Sequence, residues 1–188
     1  MNELRARLDT PLGREWVRRA AWVVLLAAFL AFLVRGANGP QDPSVSVGNR
    51  IPLQGFDDVA FRVTGAKGAM SEWCAMLADT NAKREQGLMG QRDLRGYDAM
   101  VFRYDSPVKV SFWMKDTLIP LSLAYFGADG PHVSSVDMAP CPPNATSCPS
   151  YPPTSAFLDA LEVPAGGLAR LGIAPASTLS LTGRRCRS

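Results

Sequence analysis

The stretch "VKVSFWMKDTLIPLSLAYF", residues 108–126, holds two apolar runs separated by a turn, and it decides the fold class. Residues 108–114 and 121–126 are rich in β-branched and aromatic side chains, which predicts two short strands. Alternate side chains of a strand share a face. The core face of the first strand is therefore expected to carry Val108, Val110, Phe112 and Met114, and the opposite face Lys109, Ser111, Trp113 and Lys115.

Similar short runs recur along the chain, with glycine or proline between nearly all of them. Two short helices are expected: residues 81–86, capped by Asp79 or Thr80 and ended by Gly87, and "GGLARL" at residues 166–171. This pattern predicts a mainly β protein, an antiparallel β-sandwich or a partly open barrel. The other strand candidates are residues 59–63 and 72–78, which form a predicted hairpin, and residues 99–104, 132–138, 157–163 and 177–183.

A hydrophobic segment precedes this β-rich region. Residues 20–34 carry no charge and lie between Arg19 and Arg35, which suits either a transmembrane anchor or the core of a cleaved signal peptide. The basic arm at residues 1–19 is expected in the cytoplasm by the positive-inside rule. The rest divides into a linker at 35–55, a single domain at 56–183 and a basic tail at 184–188. That domain is expected outside the cytoplasm, anchored to the membrane or exported after cleavage.

Charge and cysteine content agree with this topology. The excess of basic residues lies in the arm and the tail, so the domain lacks the basic face that nucleic-acid binding requires. The four cysteines form an even set that suits an oxidising compartment. Cys141 and Cys148 enclose a short turn-rich loop and are expected to form a disulfide. Cys74 and Cys186 pair only if the first and last strands of the core are neighbours; otherwise Cys186 stays free.

Four motifs resemble a known protein family, and they occur in the family's order. They read "ADTNAKREQGLMG" at 78–90, "SFWMKDTLIPLSLAYF" at 111–126, "MAPCPPNATSCPSYPP" at 138–153 and "ALEVPAGGLARLGI" at 160–173. From Trp73 to about Thr182 the chain is similar to the domain of unknown function family 192. Two positions differ from its common pattern, which has Asn at Asp116 and Asp at Ser122. The resemblance implies a jelly-roll type of β-sandwich and brings no established activity.

The second motif supplies the candidate site. Trp113 and Lys115 project from the outward face of their strand, where an aromatic ring beside an ammonium can hold a sugar, a carboxylate or a peptide. Asp116, Tyr151 and Glu162 complete the predicted ligand-binding set. The structural alternative is that Trp113 packs under a loop, that Lys115 pairs with Asp116 or Glu162, and that residues 116–120 only make a turn.

The sequence favours a non-catalytic binding or cell-envelope accessory module without a cofactor, whose partner is a small polar ligand or an envelope component. The alternative is a hydrolase of envelope glycan or peptide that uses Asp116 and Glu162 as paired carboxylates. A third hypothesis is a purely structural role in an envelope complex. One histidine, His132, and no Cys-x-x-Cys pair argue against a zinc site, and Met89, Met114 and Met138 are expected to be core residues instead of Cu(I) ligands.

Overall fold

Residues 50–142 and 144–186, which the computed structural model describes, form nine strands and one helix. All of these residues belong to one compact unit. The helix, α1, is Asn81–Gln86. The strands are β1 (Asp57–Thr64), β2 (Met70–Ala78), β3 (Ala99–Val108), β4 (Phe112–Trp113), β5 (Leu121–Phe126), β6 (His132–Met138), β7 (Ser150–Tyr151), β8 (Phe157–Pro164) and β9 (Thr178–Leu181).

Seven strands form one sheet in the order β6-β5-β8-β3-β2-β1-β9, and β4 pairs with β7 in a separate two-stranded ribbon. The prediction of a mainly β protein is confirmed, as is the hairpin of β1 and β2. The sheet is mixed, however, because β2 and β3 run parallel. A parallel pair needs a long crossover, and residues 79–98, which include α1, provide it.

The two ends of the sheet approach one another, although the sheet is not a closed barrel. Pro131, just before β6, forms an isolated bridge with Thr178 of β9. The Leu179 amide donates to the Gly130 carbonyl at 2.8 Å. Gly130 permits this approach, because a Cβ at this position would collide with the Leu179 carbonyl oxygen.

Both faces of the large sheet are covered by apolar side chains. One cluster contains Met76, Met100, Leu123 and Tyr125. The cluster on the opposite face contains Val101, Phe126, Leu161 and Val163, among others. The central strands β8 and β3 are therefore buried on both sides, so a polar side chain on either face of β8 lies in the interior.

The ribbon of β4 and β7 packs over the first cluster. Phe112 of β4 makes edge-on contacts with Phe102 and Tyr125, at centroid distances of 4.9 and 5.7 Å. The predicted strand at 108–114 is thus divided: Val108 ends β3 in the large sheet, and Phe112 begins the ribbon. The intervening residues connect the two layers. As a result Val110, expected in the core, is exposed.

Only one of the two predicted helices is present among the described residues. The Thr80 side chain accepts from the Lys83 amide at the start of α1, and Gly87 ends the helix, as expected. Residues 165–172 form successive turns instead. Gly166, at φ +78°, and Gly172, at φ +80°, adopt left-handed conformations that interrupt a right-handed helix at both ends of this segment.

Two disulfides link the described residues. The expected Cys141–Cys148 bond is confirmed, and Cys74 is joined to Cys186. The condition for the second bond is met, since β1 lies between β2 and β9. Beside it, Arg184 pairs with Glu72 at 2.8 Å, so the tail continues the edge of the domain.

The first described residues also contact the domain. Leu53, which the composition assigns to the linker, is buried in the first cluster. The hydrophobic segment at 20–34 lies outside the described residues, as does most of the predicted linker. Within residues 50–142 and 144–186, no helix is both long and apolar enough to span a bilayer.

Replacing Tyr125 with Phe is expected to lower the free energy of unfolding by about 1 kcal/mol. The Tyr125 hydroxyl donates to the Tyr151 carbonyl at 2.6 Å and so ties the ribbon to the sheet. Urea unfolding measures the change. Tyr104→Phe is the matched control, because the described residues offer the Tyr104 hydroxyl no hydrogen bond. Equal midpoints for both variants would contradict this role.

Candidate functional site

The outer face of the ribbon carries an exposed aromatic and cationic pair. The side chains of Phe112 and Met114 point into the core, and those of Trp113 and Lys115 point to solvent, as the strand alternation predicts. Trp113 is 54% exposed. The Lys115 ammonium lies 5.5 Å from the indole centroid, a cation–π distance. The ring is therefore exposed on a ribbon whose other face is held in the core.

A tight turn continues from this pair. The Thr117 amide donates to the Met114 carbonyl at 3.3 Å, and Asp116 adopts a left-handed conformation with φ +53°. Aspartate is one of the few residue types that accept this conformation readily. Asp116 is exposed and follows the pair directly in sequence.

Backbone hydrogen bonds bring the other motifs to this turn. The Gly90 amide donates to the Asp116 carbonyl at 2.8 Å, and the Cys141 amide donates to the Met114 carbonyl at 3.4 Å. The Ala165 amide donates to the Pro120 carbonyl at 3.1 Å. Segments that are far apart in sequence, around residues 90, 116, 141 and 165, therefore form one layer of loops.

Glu162 lies in the interior of the domain. It belongs to β8 between Met100 of β3 and Leu123 of β5, which are its register partners. The residue is 4% exposed, and no described residue forms a hydrogen bond or ion pair with its carboxyl group. Burial in this apolar setting raises the pKa of Glu162 to about 8. The carboxyl group is therefore largely protonated at neutral pH.

Tyr151 is half-buried and faces inward. It pairs with Phe112 across the ribbon, so the two side chains lie on the same face. Trp113 is paired with Ser150 on the outer face. Of the five predicted site residues, the structure thus brings Trp113, Lys115 and Asp116 to one surface and places Tyr151 and Glu162 on the core side.

The positions of Asp116 and Glu162 do not suit catalysis by the two carboxyl groups together. Hydrolysis by paired carboxylates needs both groups in contact with water. Asp116 is exposed, whereas Glu162 is almost completely buried, so the two carboxyl groups do not flank an open cleft. The described residues therefore give no support to a hydrolase that uses this pair.

Two other titratable groups have structural surroundings. The His132 ring packs edge-on against Phe126 at 5.8 Å, and burial lowers the pKa of His132. Among the described residues, one group of metal-ligand types lies close together, Asp58 with Cys74 and Cys186. Both of its thiols are used in the disulfide, so they are not available as thiolate ligands.

Sequence reasoning missed two features. Asp159 is buried beside Arg103, with its Oδ1 2.9 Å from the guanidinium Nε. Burial raises the pKa of Asp159 to about 6, and the arginine opposes this shift. Val110 and Leu118 are 42% and 49% exposed beside Trp113 in sequence. The apolar pattern assigned Val110 to the core. Val110 is exposed because it lies in the connection between β3 of the large sheet and β4 of the ribbon.

The fold and the surface define a class: a mainly β domain of one mixed seven-stranded sheet with almost no helix, covered by a ribbon that presents an aromatic-cationic pair. The chain belongs to the domain of unknown function family 192, DUF192, described as "Uncharacterized ACR", whose model matches residues 62–181. The matched range includes all four motifs that meet at the turn. No curated protein matches the chain significantly.

The solved structures that are similar to this chain include the following two. One is a candidate transcription regulator from Sinorhizobium meliloti 1021, with 26% identity, a TM-score of 0.57, and coverage of 69% of this chain and 97% of its own. The other is a protein of unknown function from Novosphingobium aromaticivorans DSM 12444, with 28% identity, a TM-score of 0.62, and coverage of 76% and 99%. These similarities support the architecture and establish no activity.

Proposed function

We propose that the protein is a membrane-tethered, extracytoplasmic binding module that recognises a component of the cell envelope without catalysis. The observation that carries the proposal is the exposed Trp113 with the Lys115 ammonium over its ring. Such a pair offers an apolar contact area and a positive charge, which suits a ligand with an apolar body and an anionic group. Asp116 adds a hydrogen-bond acceptor next to it.

The extracytoplasmic location is supported by the cysteines. All four are paired, and disulfides persist in oxidising compartments. The membrane tether is supported by the composition of residues 20–34 and by the basic arm that precedes them. These two features favour an envelope component as the partner.

The surface is also suited to binding because its backbone is fixed. Phe112 and Met114 anchor the ribbon in the core, and the Cys141–Cys148 loop is bonded to the Met114 carbonyl. Little conformational entropy of the backbone would be lost when a ligand binds. A surface with these properties needs no lid.

Trp113→Ala is expected to weaken ligand binding at least tenfold, because truncation of a central aromatic anchor removes about 2 kcal/mol or more. Its effect on unfolding should be small, since the side chain is half-exposed. Calorimetric titration of the full chain in detergent with two soluble probes, muropeptides and glycerol phosphate, measures the change.

Trp73→Phe is the matched control, because Trp73 lies on β2 and not on the ribbon. The Arg170 guanidinium carbon lies 5.2 Å from the centroid of the Trp73 ring. Binding of a probe that is equally strong in wild type and Trp113→Ala would show that the ligand contacts another surface.

A further inference from the structure

Exposed apolar side chains are concentrated on one set of loops. Five large apolar residues are exposed among residues 50–142 and 144–186, and four of them lie in two segments: Ile51 in 50–53, and Val110, Trp113 and Leu118 in 109–118. The fifth, Met70, lies in the β1–β2 hairpin. A third segment, 88–97, is hydrogen-bonded to both of these segments.

Backbone hydrogen bonds join these segments. The Ile51 amide donates to the Arg95 carbonyl at 3.2 Å, and the Gly90 amide donates to the Asp116 carbonyl at 2.8 Å. Segment 88–97 therefore contacts the first described residues and the turn after Trp113. We call residues 50–53, 88–97 and 109–118 the tether-side surface, because the chain from the hydrophobic segment reaches the domain there.

This surface is positive although the domain is not. Its segments contain five basic residues and two acidic ones, whereas acidic residues outnumber basic ones over residues 37–183. The acidic residues of the surface are Asp93 and Asp116; the basic residues are Arg50, Arg92, Arg95, Lys109 and Lys115. Basic side chains interspersed with Trp and aliphatic residues are typical of surfaces that lie at a membrane interface.

The proposed tether at residues 20–34 would limit the distance between the domain and the bilayer. Residues 35–49 separate the hydrophobic segment from Arg50, and fifteen residues extend at most about 50 Å. A domain confined within this distance meets the membrane at a high effective concentration. Weak contacts of a few side chains are then sufficient for docking.

We infer that the tether-side surface docks on the anionic phospholipid headgroups of the membrane that holds the protein. Trp113 and Leu118 insert at the level of the headgroups, and Lys109 and Lys115 contact lipid phosphates. This inference rests on the proposed function and specifies its partner as a lipid surface, so Trp113 is an interfacial anchor.

The test uses the full chain in vesicles, with Trp113 as the only tryptophan after Trp16→Phe, Trp22→Phe and Trp73→Phe. In vesicles with about one third phosphatidylglycerol, Trp113 emission is expected to shift to the blue and to be quenched by lipids brominated near the headgroup. Lys109→Gln and Lys115→Gln should each reduce the docked-to-undocked ratio about fivefold, and added salt should reduce it further.

The matched control keeps Trp73 as the only tryptophan and is expected to show no bromine quenching, since Trp73 lies on β2. If the triple substitution does not fold, the emission difference between wild type and Trp113→Phe supplies the same signal. Trp113 emission that stays water-exposed in anionic vesicles would overturn the inference. If Trp113→Ala still weakens muropeptide binding in that case, the proposed function is retained and only the lipid partner is excluded. If Trp113→Ala weakens the binding of no probe, the proposed function is contradicted as well.

Discussion

Removal of the Cys74–Cys186 disulfide, by alanine at both positions, is expected to lower the free energy of unfolding by about 5 kcal/mol. The two cysteines are 112 residues apart, so the bond restricts almost the whole described chain in the unfolded state. Domains are commonly stable by only about 5–15 kcal/mol. Loss of this bond would therefore leave the protein close to its unfolding threshold.

The second disulfide provides the comparison. Cys141 and Cys148 are 7 residues apart, and the same chain-entropy relation assigns this bond only about 2.5 kcal/mol. Urea unfolding of both double-alanine variants measures the two losses. The first variant is also expected to be degraded faster in cells, because a larger fraction of it is unfolded. Equal losses would show that the closed loop length does not determine the stabilisation.

Much of the fold is predictable because its signals are local. The β1–β2 hairpin, α1 with its cap at Thr80, and the short Cys141–Cys148 loop each depend on residues that are close in sequence. Alternation also places Phe112 and Trp113 on opposite faces correctly, because the period of a strand is fixed. These features require no knowledge of which strands are neighbours.

The remaining features depend on strand order, which local patterns do not encode. The pairing of Phe112 with Tyr151 turns the Tyr151 side chain inward, although 39 residues separate them. The run at 108–114 reads as one strand because nothing in its sequence marks the change from sheet to ribbon. The burial of Glu162 also depends on strand order. Alternation places its side chain on the other face of β8 from Leu161 and Val163, but only the strand order shows that both faces of β8 are covered.

Glu162→Gln is expected to stabilise the protein at neutral and alkaline pH and to remove a large part of the pH dependence of its unfolding. The folded-state pKa of Glu162, about 8, lies above the ordinary value of 4.5. The folded protein therefore holds a proton that the unfolded chain releases, and stability falls as the pH rises from 4.5 to about 8. The loss amounts to about 3 kcal/mol at pH 7 and up to about 5 kcal/mol above the folded pKa.

Two other titratable groups, Asp159 and His132, also contribute to the pH dependence of unfolding. Asp159, with a pKa raised to about 6, contributes a loss of the same sign that is complete near that pH. His132, with a lowered pKa, contributes in the opposite sense below its ordinary value of 6.5. Asp159 and His132 are present in both the wild type and Glu162→Gln. The difference in unfolding free energy between the two proteins from pH 6 to 8 therefore measures the contribution of Glu162.

Urea unfolding across this range, with the exposed Glu85→Gln as control, separates two roles of the carboxyl group. A gain in stability for Glu162→Gln that grows toward pH 8 would mean that the acid opposes folding where it lies. Parallel curves for wild type and variant would instead show that the pKa of Glu162 is the same in the folded and the unfolded protein, which would contradict the prediction.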